Sequence, residues 1–320
     1  MALNSLDAVI QAAKTGTSGV VAVAAAHDTA VIEAVTAAQK EGIVTPILVG
    51  HADQIEKMLV EVGENPADYR IVPADSDVDC AKAAVQLVTE GQAGFLMKGL
   101  LGTADLMRAV LAKEANLRTD SLLSHVMLFE APGYHKMILM SDGGMNTFPD
   151  FDKKVQILDN AAGVLHKLGY ERIHAACVCG AETVNPKIQS TVDAYELSQM
   201  TETWQKYNMD VIGPVSVDLA LSREACEHKR FTAPGAGDAD LLLVTNYEMG
   251  NAIYKTALCL TGCRAAGLII GAIFAGLVYV VIAIIIKFAG VKWINKLMPA
   301  VVIGPTVALI GLSLAVNAVN

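Results

Sequence analysis

Residues 19–50 read GVVAVAAAHDTAVIEAVTAAQKEGIVTPILVG, and the reading of this stretch decides the fold class. GVVAVAA at 19–25 is a continuous apolar run, the mark of a strand covered on both faces, and it stops at His27-Asp28. A helical pattern follows to about Glu41, and PILVG at 46–50 is a second covered strand. Strand, helix and parallel strand in that order form a βαβ unit.

The same alternation runs outward from it. A helix over 52–62, a strand at Tyr69–Val72, a helix over 77–90 closed by Gly91 and a strand at Gly94–Met97 follow. Thr103 is expected to cap a helix reaching about Ala115. Val126–Glu130 and Lys136–Met140 read as antiparallel neighbours joined by Ala131-Pro132-Gly133. After Asp150 the pattern restarts: a helix to Leu168, a strand at 174–179 and a helix opened by Asn185-Pro186. Strands at 210–215 and 240–245, a helix over 250–263 and a strand at 267–271 complete it. The expectation is an α/β protein of two doubly wound, mainly parallel lobes (1–140 and 141–271) with an interlobe cleft.

Near Gly271 the chain changes character. The chain has 320 residues and net charge −9, but Lys287, Lys292 and Lys296 are its only charges after Arg264. Residues 1–264 therefore hold 21 basic and 33 acidic groups, net −12, a surface that repels nucleic acid. No secretory pattern opens the chain, so the six cysteines read as reduced thiols in a cytoplasmic protein. Cys177 and Cys179 are expected on opposite faces of a strand, and no residue set has metal-ligand spacing.

Ligands of open α/β sheets bind beyond the carboxyl ends of the strands, and five positions there carry chemistry. Lys98-Gly99 follows a strand and reads either as a phosphate-holding amine or as a solvated turn. Ser124-His125, just ahead of a strand, can donate to an oxyanion or relay a proton, or can be an ordinary satisfied loop pair. Asp142-Gly143-Gly144-Met145-Asn146 reads as an anion nest of backbone amides or as a plain tight turn. Gly250-Asn251, read as a helix N-terminus, and Lys255 one turn later suit a phosphate. Gly213-Pro214 with Asp218 is the weakest of the five. Walker A and G-x-G-x-x-G patterns are absent.

Together FLMKGL (95–100), LLSHV (122–126), SDGGMN (141–146), GPVSVDLALS (213–222), EHKRF (227–231), GDADLLLV (237–244) and YEMGNAIYK (247–255) resemble the phosphate acetyl/butyryltransferase family, most of all its butyryl branch. The resemblance implies conversion of an acyl-CoA and phosphate to an acyl phosphate and CoA, with CoA as substrate and neither metal nor bound cofactor. It implies catalytic roles for Ser124 and His125 and substrate contacts from Lys98, Gly99, Asp142, Asn146, Gly250, Asn251 and Lys255, Asp142 orienting rather than titrating. A homo-oligomer is implied for the parent enzyme. In the family a segment resembling KVPIVLTSR, with an aspartate shortly after, follows AGLIIGA and carries a catalytic Ser-Arg pair. Here IFAGLVYVV stands in its place, and Ser222-Arg223, early in a helix of its own, does not substitute. The expectation is a chain without appreciable transferase activity.

Residues 273–286 include ten Ile, Leu, Val or Phe side chains, which favour membrane insertion by roughly 3–6 kcal/mol. Residues 276–320 resemble a fragment of the uracil/xanthine permease family too short to transport. A C-terminal two-helix apolar hairpin at 272–320, contacting membrane through 273–320, is therefore expected. The lysines of 287–296 would place that loop in the cytoplasm and residues 1–264 outside, in conflict with a CoA-dependent enzyme. Two other readings stand beside the inactive transferase: a membrane-anchored CoA- or acyl phosphate-binding protein, and a permease fragment joined to an enzyme remnant.

Overall fold

The computed structural model describes residues 2–16, 18–117 and 121–270, and the backbone of 280–282. The chain divides into two compact units: one of residues 10–121 and 266–320, the other of residues 1–9 and 122–265. Helix α1 (Leu6–Thr15) begins in the latter and ends in the former.

The unit of residues 10–121 holds β1 (Gly19–Ala24), α2 (Thr29–Lys40), β2 (Val44–Gly50), α3 (Ala52–Glu61), β3 (Arg70–Pro73), α4 (Asp77–Thr89), β4 (Phe95–Lys98) and α5 (Thr103–Val110). Its sheet has the order β3-β2-β1-β4, and every pair is parallel. The central strands are covered on both faces, which is why their sequences run apolar without alternation. Asp28 caps α2 by accepting the Val31 amide, and Ser76 caps α4 through that of Asp79. Thr103 does not cap α5. It is the first helical residue, Gly102 holds the cap position without a side-chain bond, and a separate 3-10 turn covers Lys113–Ala115.

The unit of residues 122–265 holds β5 (Ser124–Glu130), β6 (Ile138–Ser141), α6 (Phe151–Lys167), β7 (Ile173–Val178), α7 (Gln189–Gln199), α8 (Thr201–Trp204), β8 (Met209–Val215), α9 (Val217–Leu221), α10 (Arg223–Lys229), β9 (Leu241–Leu243), α11 (Tyr247–Thr261) and the start of β10 (Arg264–Ile270). Strands β5, β6, β9, β7 and β8 lie side by side in that order. The β5–β6 pair is antiparallel, as expected, and the others are parallel. Phe129, Ile138, Met140, Ile212, Val215 and Leu242 are central to the core. The units divide near residue 121 rather than 140, because β6 pairs in parallel with β9, from Leu139 beside Leu241 to Ser141 beside Leu243, and so carries its antiparallel partner β5 into the later unit.

Beneath the carboxyl ends of β7 and β9, Lys154 of α6 meets Asp193 of α7 at 2.6 Å, both buried. Gln189 donates to the second carboxylate oxygen at 2.7 Å. Cys177 and Cys179 line the same small cavity as this pair. Cys179 follows directly on β7, and both thiols border this one cavity, so the expectation of opposite faces is corrected: in a pleat of period two, residues i and i+2 return to the same side. Burial raises the pKa of both thiols.

Strand β11 (Val280–Ile282) runs antiparallel to β10, with Ile269 opposite Val280. The rest of the expected hairpin at 272–320 lies outside the described residues, and at 280–282 the backbone is extended rather than helical. Among the described residues no helix is long and apolar enough to cross a membrane.

Candidate active site

The site grows from the place where β5 and β6 pair. Val126 stands opposite Ser141, and the Ser141 hydroxyl donates to the His125 carbonyl at 2.8 Å. Ser124 and His125 lie inside β5, not ahead of it. The segment leading in is held by side chains that stand in for ladder partners. Gln156 Oε1 accepts the Leu122 amide at 3.1 Å, and Asn160 Nδ2 donates to the Leu122 carbonyl at 2.9 Å. The same Asn160 nitrogen donates to Ser124 Oγ at 2.9 Å, and Asn146 Nδ2 donates to the Leu123 carbonyl at 2.9 Å.

After β6 the chain turns at Asp142. Its Oδ1 accepts the amides of Gly144 and Met145, both at 2.8 Å. Its Oδ2 accepts the Asn146 amide at 3.2 Å and Asn146 Nδ2 at 2.6 Å. The turn is a nest of amides, but the anion in it is the chain's own carboxylate, so these donors are not open to a ligand. This places Asp142 as the residue that shapes the turn.

His125 packs on that turn, and a Cβ added at Gly144 would lie 2.6 Å from its Cγ. The imidazole is buried and its Nδ1 has no partner among the described residues. Burial holds its pKa below the ordinary 6.5, while the Asp142 charge pulls the other way. Burial dominates, so the folded state keeps a neutral ring. The unfolded chain binds a proton below about pH 6.5 that the folded chain refuses, so stability is full above that pH and falls on acidification. Urea midpoints at pH 7.5 and 5.5 should therefore fall further for the native chain than for His125→Gln. Equal losses would remove His125 as the cause.

Gly143 and Gly250 meet each other. A Cβ on Gly250 would stand 2.6 Å from the Gly143 Cα, so the close approach is between two backbones and not between backbone and ligand. Gly250-Asn251 is also not a helix N-terminus. Helix α11 starts at Tyr247 under an Asn246 cap, the Tyr247 amide goes to the Thr147 carbonyl, and the Gly250 amide bonds the Asn246 carbonyl at 3.2 Å. A Gly250 amide donor for phosphate is thereby used inside the helix. Lys255 is exposed one turn beyond Asn251.

Lys98 and Gly99 belong to the other unit, at the end of β4. Lys98 is neither a solvated turn residue nor an open ammonium: its Nζ is buried and donates to the carbonyls of Leu101 at 2.6 Å and Gly99 at 3.3 Å. Burial lowers its pKa and Asp77 opposes that. At Gly99 a Cβ would come 2.2 Å from the Ala25 carbonyl oxygen, so glycine is required by a chain crossing.

The weakest expected position is structural. Asp218 pairs with Lys229 at 2.8 Å, which with a Ser216 hydrogen bond lowers its pKa to about 2. Gly213 packs on Cys177, where a Cβ would lie 2.8 Å from the cysteine Cβ. Ser222 is not early in one long helix: it separates α9 from α10 and caps the latter, while Arg223 pairs with Asp238 at 2.8 Å. Residue-by-residue reading missed Gln156 and Asn160. Their spacing of four on a helix whose neighbours Ile157, Leu158 and Ala161 are buried is the available signal.

Residues 76–277 match the phosphate acetyl/butaryl transferase family, and residues 249–320 match a permease family, the two overlapping at 249–277. The chain is 39% identical over 269 residues to the phosphate butyryltransferase of Clostridium acetobutylicum, covering 84% of this chain and 89% of that one. It is 33% identical over 266 residues to the phosphate acetyltransferase of Thermotoga maritima, covering 83% and 90%. A crystal structure of a branched-chain phosphotransacylase from Enterococcus faecalis matches with a TM-score of 0.69 at 32% identity, covering 79% and 88%. Over these residues, with Ser124–His125 and the Asp142 turn inside the match, the chain belongs to the phosphate acetyl/butaryl transferase family.

Proposed function

We propose that residues up to about 270 form a phosphate acyltransferase scaffold for butyryl-CoA and phosphate, and that the chain binds these ligands but does not turn them over. The observation carrying this reading is the convergence of Ser124, His125, the Asp142–Asn146 turn and Gly250 within one unit. In the reaction a phosphate oxygen bonds to the thioester carbonyl carbon, the C–S bond breaks, and the CoA thiolate takes a proton. The carbonyl oxygen gains charge on the way and needs fixed donors. By the resemblance Ser124 and His125 belong to that centre, with Asn146 beside them. Asn251 and Lys255 are assigned to the substrate's phosphates and pantetheine, and Lys98 and Gly99, in the other unit, keep the substrate role that the resemblance implies for them. CoA is the substrate of the parent reaction and no cofactor is bound; residues 1–271 belong in the cytoplasm, and the parent enzyme is a homo-oligomer.

The absence of turnover follows from sequence: apolar residues stand where the family's Ser-Arg and aspartate would supply charge stabilisation and proton transfer. Losing one such donor costs about 100–1,000-fold in rate, and several are lost together. Release of CoA from butyryl-CoA and phosphate by the full chain should stay at the no-enzyme background. Calorimetry should still detect butyryl-CoA binding. Normal turnover overturns the inactive reading, and absent binding overturns the scaffold reading.

A second reading is favoured by the permease-family match over 249–320: a membrane-associated CoA-binding protein, held through 273–320. Flotation of the full chain with lipid vesicles would support it, and recovery wholly in the lipid-free fraction would sink it.

A further inference from the structure

Within the Ser124–His125 pair the two side chains face different surroundings, as adjacent strand residues must. Ser124 is fully buried, and its oxygen is taken by Asn160 of α6 at 2.9 Å. His125 lies against Gly144 of the Asp142 turn, more than nine-tenths buried, with Nδ1 lacking any partner among the described residues. Buried polar atoms are rarely left unpaired unless a ligand or ordered water completes them. Ser124 thus has a structural partner, and His125 has a vacant hydrogen-bonding position.

Four hydrogen bonds from α6, the end of β6 and the Asp142 turn converge on the backbone from Leu122 to His125. Gln156 and Asn160 grip both polar groups of Leu122, Asn146 holds the Leu123 carbonyl, and Ser141 holds the carbonyl of His125 itself. Asn160 alone reaches two successive points, the Leu122 carbonyl and the Ser124 hydroxyl. One amide nitrogen therefore sets both the path of the chain into β5 and the rotamer of Ser124. Side-chain clamps of this kind fix a ring to within the fraction of an ångström that productive contact needs.

We propose that Asn160, acting through Ser124, is the positioning residue for His125, and that the His125 ring, not the Ser124 hydroxyl, meets the phosphoryl or thioester oxygen of the ligand. This rests on the reading of the unit as an acyl-CoA- and phosphate-binding scaffold. The neutral ring offers one N–H donor to such an oxygen. Asn160 and Ser124 touch no ligand and change binding only by moving that donor.

The test is butyryl-CoA binding by the full chain, measured by calorimetry for the native protein, His125→Ala, Asn160→Ala, Ser124→Ala and the doubles Asn160→Ala/His125→Ala and Ser124→Ala/His125→Ala. Each single variant should weaken binding about tenfold, the worth of one good hydrogen bond. In the His125→Ala background the other two substitutions should add less than about twofold, because residues acting through one group are not additive. A further full loss from Ser124→Ala in that background would show direct contact and overturn the division of roles. Weakening by His125→Ala but not by Asn160→Ala overturns the proposal and leaves the scaffold reading intact. No binding by the native chain overturns both. Should Asn160→Ala fail to fold, Asn160→Asp keeps the shape and gives up the donor. Movement of the His125 ring-proton titration in that variant supports the positioning role, and unchanged resonances overturn it.

Discussion

Replacing Lys154 with methionine should lower the unfolding free energy by about 3–5 kcal/mol, because it strands a buried carboxylate. Asp193 is buried, and its Oδ2 meets the ammonium at 2.6 Å. Gln189 serves only Oδ1, at 2.7 Å, and its neutral amide does not offset a full charge. The double replacement Lys154→Met/Asp193→Leu removes both charges and should recover most of the loss, since desolvating the pair already costs much of what its attraction returns. Urea unfolding of the native, single and double variants reads this directly. A single-variant loss below about 1 kcal/mol would mean that water reaches the pair, as at exposed bridges.

Gly99→Ala should be comparably damaging in the unit of residues 10–121. The new methyl carbon would sit 2.2 Å from the Ala25 carbonyl oxygen, 2.7 Å from that of Ala24 and 2.8 Å from the Ala25 carbonyl carbon. These are backbone atoms of the β1 exit, which rotamer changes cannot move. The Gly99 amide also bonds the Ala24 carbonyl at 2.7 Å, so the two segments cannot separate without losing it. Overpacking costs about 1–3 kcal/mol where side chains can shift, and a clash with fixed backbone belongs at or above the upper end. Hydrogen exchange should report the loss in the amides of β1 and β4. Gly63→Ala is the contrasting case: φ is +84° there and nothing lies within 4 Å, so its cost is conformational alone. If the two variants prove equally stable, the close approach at Gly99 is not rigid.

Much of the architecture was legible in the sequence. Runs such as GVVAVAA and PILVG admit little except strands covered on both sides, and the turn between β5 and β6 announces itself in Ala131-Pro132-Gly133. Element ends were harder. The start of α11 moved from Gly250 to Tyr247, because its first turn is stabilised by the Asn246 cap and by Thr147, a partner a hundred positions away in the chain. The separation of α9 from α10 rests on a single local event, the Ser222 side chain accepting the Ala225 amide.

The candidate site shows the same division more sharply. SDGGMN looked like an anion nest, and it is one, filled from within by Asp142. Lys98 looked like an amine at an open turn, but its ammonium is buried and two of its three donors go to the carbonyls of its own loop. Motif strings report which residues gather; they do not report which hydrogen-bonding groups remain unspent after gathering.

By itself the sequence determined the order of strands and helices, the family, and the change of character after Gly271, because apolar periodicity, motif order and charge are properties of the chain read along its length. The tertiary structure decided that β5 and β6 join β9 in the later unit, that Gly250 is glycine for the sake of Gly143, and that Asn160 holds Ser124 while His125 Nδ1 has no partner among the described residues. Those depend on distances between residues far apart in the chain. A side chain's chemistry is set by which of its donors and acceptors the fold has already used.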